Sequence, residues 1–412
     1  MQPEEIFGLA LGITKPWKVV DVSFSNENKR LDIKIDFDRG ATFPCPVCGE
    51  ASPVHDTVDK TWRHMNFFQY EAYLTARTPR TKCPKDGCGV KLVAVPWARP
   101  GSSFTLLFEA LTMALAREMP VKIEGAHLGE NDTRLWRIID HYVEEARARA
   151  DFSNVTKIGT DETSAKRGHN YITLFHDMVT KRLLFATLGK DHATIKAFAD
   201  DFKRHKGCLE AITSACIDMS QAFIKGIQEE LPNAVITFDP FHVIQLMNKA
   251  VGEVRAEEAK QFPDLLKGSR YAYLKNPENL TAKQDETLVK LSHYNLKTGR
   301  AYMIKLALQN VYFAPSREDG EALLKSWYNW AIRSQIDQVK KVAGTVKAHW
   351  DGILAWFDSK LSNGYVEAIN GLIQAAKRRA RGYKTTKNLI NMAYLIAGKL
   401  DFNLPVWATH SK

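Results

Sequence analysis

The stretch Lys157-Ile158-Gly159-Thr160-Asp161-Glu162-Thr163-Ser164 decides the reading of this chain, because a short β-branched run there ends in a carboxylate and then breaks. Residues 171–175 and 182–187 follow as two more strand-like runs, joined through Asp177-Met178-Val179-Thr180-Lys181. Three such runs in succession predict an antiparallel meander with Asp161 at the end of its first strand.

Further along, a helix is expected over residues 192–205, with Ile195, Phe198, Ala199 and Phe202 on one face. A fourth strand over 211–217 ends in Asp218, and a fifth over 234–238 ends in Asp239; each leads into an amphipathic helix. The order β-β-β-α-β-α-β-α predicts an α/β, RNase H-like mixed-sheet core with helices on both faces. Such a sheet sets its first and fourth strands side by side, so Asp161 and Asp218 finish next to each other. A strand-end Asp alone is more often a turn former. Two adjacent carboxylates repel unless cations neutralise them, which suits oxygen-coordinated Mg²⁺ or Mn²⁺.

The core reads as two parts, residues 151–258 and 351–412, separated by an all-helical insertion over 259–350. The insertion's aromatics, Tyr271, Tyr273, Trp327, Tyr328, Trp330 and Trp350, fall at helical spacing and read as core rather than as stacking platforms. Beyond it, Val366, Ile369, Ile373 and Ala376 predict the buried stripe of a helix, with Glu367, Asn370, Gly371, Gln374 and Arg378 on a neighbouring face. That helix offers a carboxylate, an amide pair and a basic end, Lys377, Arg378, Arg379 and Arg381, the last four suited to a phosphate backbone.

Upstream, residues 1–100 read as a β-rich module. Residues 17–22 and 31–37 predict a hairpin, and Cys45-Pro46-Val47-Cys48-Gly49 has the spacing of a zinc knuckle. Cys83 and Cys88 form a wider second pair, giving a four-cysteine zinc site or one in which His55 or His64 replaces a thiol. Between the pairs, Arg63, Arg77 and Arg80 alternate with aromatics and are candidates for DNA contact. Residues 101–150 predict three helices: one over 104–119 with Leu107, Ala110, Leu111 and Ala114 on its apolar face, a short one over 121–128 stopped by Gly129, and a third from about Thr133. This is the order of a helix-turn-helix DNA reader, with Arg134 and Arg137 projecting from the third helix.

Composition agrees. The chain has 412 residues, 45% of them hydrophobic, and 57 Lys+Arg against 47 Asp+Glu give a formal charge of +10, which favours a polyanionic partner. No apolar run approaches the roughly 20 residues of a membrane span, and the acidic start, Met1-Gln2-Pro3-Glu4-Glu5, is unlike a signal peptide, so a cytoplasmic protein without a membrane partner is expected, nucleoid-associated when bound to DNA. In a reducing compartment paired cysteines argue for metal; Cys208 and Cys216 read as ordinary buried thiols.

The paired cysteines, the helix-turn-helix order, IGTDE (residues 158–162), FDPFHV (238–243) and above all SNGYVEAINGLIQAAKRRARGY (362–383) resemble the transposases of the ISL-three insertion-sequence family across nearly the whole chain. The resemblance implies a DDE transposase in which Asp161 is the first acid and Glu367 the last. Fold order gives Asp218 as the middle acid, with Asp239 and His242 in support, while Asp239-Pro240-Phe241-His242 resembles an element that related transposases carry one strand later. It further implies structural Zn²⁺, two catalytic divalent ions held by Asp161, Asp218 and Glu367, double-stranded DNA at element ends and target as substrate, and a homodimer or larger assembly. Two other readings stay open: an inert transposase-derived DNA-binding regulator, and a nuclease of the same fold that cuts without joining.

Overall fold

In the computed structural model, which describes residues 2–85, 87–168 and 170–405, the alternation of Leu31-Asp32-Ile33-Lys34-Ile35 becomes a strand with Leu31, Ile33 and Ile35 buried. The expected C-terminal segment therefore has its last residues, 406–412, outside the described ones. The fold divides into two compact units. The first comprises residues up to Arg147 with Arg378–Arg381 and the segment from Leu400, and the second Ala148–Lys377 with Gly382–Lys399.

The first unit opens with a helix, Pro3–Ala10, and six strands: β1 (Trp17–Ser25), β2 (Arg30–Phe37), β3 (Thr42–Pro44), β4 (Ala51–Arg63), β5 (Glu71–Lys82) and β6 (Val90–Leu92). They pair in the order β1-β2-β5-β4-β3, with β6 on β5. The β1–β2 hairpin is antiparallel, and the β2–β5 contact is parallel because β3 and β4 intervene in the chain. Trp17, Trp62 and Trp97 pack edge to face in the core of this sheet.

Three helices follow, Leu106–Glu118, Val121–Leu128 and Asp132–Ala148, within two residues of the expected ends. Gly129 caps the middle one at φ 71°, a left-handed conformation that glycine adopts without strain. The buried face of the first helix differs from the expected one. Leu107, Leu111 and Ala114 are only half-buried, while Phe108, Glu109, Thr112, Met113 and Ala116 face inward. A carboxylate can take that core position because Arg99 Nε (3.0 Å), Ser102 Oγ (2.7 Å) and Tyr142 Oη (2.6 Å) all donate to Glu109.

Glu124, on the middle helix, is also fully buried, and burial pushes its carboxyl up to about 8 from 4.5, with Thr112 offsetting part of the rise. The folded chain therefore holds a proton there that the unfolded chain has released above pH 4.5, and stability falls as pH rises from about 4.5 to about 8. Glu124→Gln should remove this slope, raising stability at pH 8 by a few kcal/mol while leaving it unchanged near pH 4.5. Thermal melts of the two proteins across that range test this; parallel curves would overturn it.

The second unit holds β7 (Lys157–Lys166), β8 (Asn170–Asp177), β9 (Arg182–Leu188), β10 (Ser214–Ile217) and β11 (Val235–Phe238), in the sheet order β11-β10-β7-β8-β9. The meander β7-β8-β9 is antiparallel, and β10 and β11 add to it in parallel. First and fourth strands of this core are thus neighbours, as the element order predicts. Ile158, Ala215 and Ile217 point into a core with Phe198 and Ile227 from the helices His192–Arg204 and Gln221–Glu230. Phe175 stacks on Phe198 at 4.4 Å. On the other face, Cys216 packs with Met178, Leu361 and Val366, against the helix Gly364–Arg379. The long helix Pro240–Gln261 runs from the end of β11 toward a wholly helical stretch reaching Ser359. Within it Tyr273 and Trp327 are core residues as expected, whereas Tyr271 and Trp330 are exposed. Cys208 is likewise exposed, its thiol 3.1 Å from Glu210, so only Cys216 is a buried thiol of the expected kind.

Candidate active site

Strand β7 does not break after Asp161 but continues for five residues, because β8 supports it on one edge as far as Lys166. On its other edge β10 pairs with it only through Gly159, so Asp161 sits where that edge opens. Gly159 lies opposite Cys216, and Cys216 opposite Thr237. Two residues further on, Asp161 lies within β7 on the face of Gly159, while Asp218 and Asp239 each lie one residue past the end of β10 and β11. Gly159 has a reason to be glycine, since a Cβ there would collide with Met178 and press on Asn363 Oδ1 at 3.1 Å.

The helix Gly364–Arg379 and the residue before it close over this face through one stripe: Asn363, Glu367, Asn370, Gln374 and Lys377, at alternating steps of four and three. Asn363 Nδ2 donates to Thr160 O (3.1 Å), Asn370 Nδ2 to Asp161 Oδ2 (2.8 Å), Gln374 Nε2 to Ser164 O (2.8 Å), and Lys377 Nζ to Ser164 O (2.7 Å). Glu367 is thereby held in register with the strand that bears Asp161. Glu367 meets His242 Nε2 at 3.8 Å, and His242 Nδ1 lies 3.9 Å from Asp239 Oδ2. One ligand atom from each of these three residues lies within 4.8 Å of the others.

Asp218 stands outside that cluster of three. Its Oδ1 accepts the Ser220 N–H at 2.9 Å, at the start of the following helix. Its charge still reaches the site: burial pushes the Asp161 carboxyl up, the Glu162 N–H and His242 pull it down, and Asp218 pushes it up again. Burial also raises Asp239 and Glu367, with Asp239 adding to the rise in Glu367. Glu162, on the opposite face of β7, is raised by burial and next by Asp218. Asp239 is 1% exposed and its Oδ2 has no hydrogen-bond partner, nor has His242 Nδ1 or Asn370 Oδ1. Carboxylates raised together beside orphaned acceptors are a donor set that fits hard divalent cations.

The basic residues distribute unevenly. Arg63 is not a surface residue: it is 2% exposed and spends its guanidinium on the carbonyls of His64, Ala72 and Leu128 and on Asn66, holding the sheet to the helices that follow. Arg77 and Arg80 are exposed, but Asp36 (3.1 Å) and Asp56 face them as partners. Arg134 folds back on Glu130 (2.6 Å) and over the Phe104 ring, leaving Arg137 as the exposed arginine of that pair on the third helix. Lys377 is turned inward, whereas Arg378, Arg379 and Arg381 are exposed. The sequence pattern puts Asn370 on the Glu367 face, but its bond to Asp161 and the part played by Asn363 emerge only in the fold, although the four-three spacing from Asn363 to Lys377 signals both.

In the first unit Cys45, Cys48, Cys83 and Cys88 bring their sulfurs within 4.8 Å of one another. Cys48 and Cys83 are 3.5 Å apart, near the edge of about 3.8 Å of a tetrahedron with 2.3 Å Zn–S bonds. Neither histidine joins them: His55 lies beside Asp56, and His64 is bound to Thr105 Oγ1 at 2.8 Å.

An RNase H-like sheet with acids beside its strand ends, following a four-cysteine module and three helices in the chain, is the architecture of a DNA-strand-processing protein. Comparison with known families agrees in all three parts. Residues 158–393 match a family described as a transposase, 93–143 the helix-turn-helix domain of transposase family ISL3, and 41–88 the zinc-finger of transposases IS204/IS1001/IS1096/IS1165. The chain is 29% identical over 435 aligned positions to the transposase for insertion sequence element IS1557 of Mycobacterium tuberculosis, covering 96% of each. It is 27% identical over 356 to the transposase for insertion sequence element IS1001 of Bordetella parapertussis, covering 82% of this chain and 85% of the relative. The chain belongs to the ISL3 family of DDE transposases.

Proposed function

We infer that this transposase binds the terminal inverted repeats of its insertion sequence and carries out metal-dependent strand cleavage followed by strand transfer into target DNA. The observation that carries this is the sheet register that sets Asp161 on β7 beside Asp218 and Asp239, just past β10 and β11, with Glu367 brought to Asp161 by a helix hydrogen-bonded along β7. Asp161, Asp218 and Glu367 are the proposed cation ligands, and Asp239 with His242 supports them. Two divalent ions, Mg²⁺ or Mn²⁺, would activate water or a 3′-hydroxyl and stabilise the departing 3′-oxygen.

The chain's own groups have defined parts in this. Asn370 fixes one oxygen of Asp161 and the Glu162 N–H the other, so the carboxylate's orientation is set before any ligand arrives. His242, between Asp239 and Glu367, can carry a proton or orient the scissile phosphate. Arg137, Arg378, Arg379 and Arg381 supply exposed positive charge for the backbone of double-stranded DNA. Zinc held by Cys45, Cys48, Cys83 and Cys88 is structural. Joining two element ends requires a dimer or larger assembly, and the chromosomal substrate places the reaction in the cytoplasm, at the nucleoid. Among the described residues no helix is long and apolar enough to cross a membrane.

The test is incubation of the full chain with Mg²⁺ and DNA ending in the element's repeats. Nicked ends joined covalently to target DNA are expected; cutting without joining would leave a nuclease, and binding without either would leave a regulator.

A further inference from the structure

The helix that begins beside Asp239 carries the site outward. From His242, the residues Gln245, Lys249, Gly252 and Ala256 recur at steps of three and four, one continuous face of Pro240–Gln261. The span from His242 to Ala256 is about 21 Å at 1.5 Å per residue, long enough for several phosphates at 3.4 Å or more per nucleotide. Its outer part opens into a groove of about 720 Å³ lined by this face together with Asn248, Arg255, Arg270 and Leu274.

The groove's chemistry is that of an anion track. Lys249, Arg255 and Arg270 line it against a single acid, Glu253, and none of the three cations forms an ion pair among the described residues. Arg255 Nε and Asn248 Oδ1 are buried there without a hydrogen-bond partner. Leu246 and Leu274 give the groove an apolar floor on which sugars and bases can pack. Its volume is that of a small-ligand pocket, enough for a few nucleotides and too little for a duplex.

We propose that this groove binds a single DNA strand, taking the phosphodiester backbone that leaves the catalytic carboxylates past His242 along Gln245, Lys249 and Arg255. The proposal rests on the strand-transfer reading of the site, but it concerns a separate surface whose residues are not proposed metal ligands. Lys249 and Arg270 are exposed, so their replacement leaves the fold intact.

The test measures fluorescence anisotropy of a labelled oligothymidine, and of a blunt duplex, on the full chain and on Lys249→Ala/Arg270→Ala. Single-strand affinity should fall on the order of ten-fold, and its salt slope by about 1.4, two phosphate contacts at about 0.7 each, with duplex affinity unchanged. A photoreactive phenylalanine analogue in place of Gln245 should crosslink to oligothymidine and not to the blunt duplex. Equal single-strand affinity and slope in the variant, or a crosslink to the duplex alone, overturns the groove. The two readings separate because wild-type chain that captures the strand at position 245 yet never cuts element-end DNA upholds the groove and defeats strand transfer. Wild-type chain that cuts and joins while the double variant binds oligothymidine equally well does the reverse.

Discussion

Glu367→Gln should leave the chain folded and bound to element-end DNA while lowering strand cleavage by at least about 10³-fold, a loss of some 4 kcal/mol or more in transition-state stabilisation. The substitution keeps the side chain's length and shape, so the stripe that ties its helix to β7 through Asn363, Asn370, Gln374 and Lys377 is untouched. What disappears is a negative charge at 3.8 Å from His242, in a site where burial, and after it Asp239, already raise the Glu367 carboxyl. Asp161→Asn should match it in size. A gel assay of element-end cleavage reads both, and run with Asp218→Asn and Asp239→Asn it assigns the middle acid: loss with the first and partial retention with the second is expected. Full cleavage by Glu367→Gln would remove this residue from the chemistry, and full cleavage by Asp218→Asn alone would pass the role to Asp239.

Cys83→Ser should release the structural metal and, with it, the order of the module it closes. The four sulfurs join the turn after β3, where the Gly49 N–H donates to Cys45 O at 2.8 Å, to the link between β5 and β6. Zinc binding to such sites contributes on the order of 10 kcal/mol in isolated fingers. Here Trp17, Trp62 and Trp97 supply a core of their own, so the loss should be confined to the β3–β4 and β5–β6 edges rather than spread over the sheet. Zinc content near one per chain, falling to none in the variant, and faster amide exchange over residues 41–56 and 80–92 check this. A variant with unaltered exchange would show the cluster to be dispensable for folding.

Much of this protein could be read before any coordinates. The strand order of the core follows from where β-branched runs end, and the candidates Asp161, Asp218 and Glu367, with Asp239 in support, stand out because carboxylates follow strand ends or lie on one helix face. Local sequence could not say that β7 outlasts Asp161, since that depends on β8 pairing as far as Lys166 while β10 stops. Nor could it separate arginines by fate. Arg63 and Arg77 share a strand pair and an aromatic setting, but Arg63 finds backbone carbonyls in the interior and Arg77 finds Asp36 at the surface. Glu109 occupies a core position for the same kind of reason, since its partners Arg99 and Tyr142 come from other turns of the chain.

The bond between Asn370 and Asp161 links residues 209 positions apart, and the whole helical stretch must be made before it can form. During synthesis the sheet, His242 and the basic groove emerge long before Glu367 does. A nascent chain therefore already contains Asp161, Asp218 and Asp239 while Glu367 and the basic end Arg378, Arg379 and Arg381 are still to be made, so under the proposed reading its site stays incomplete until synthesis is almost over.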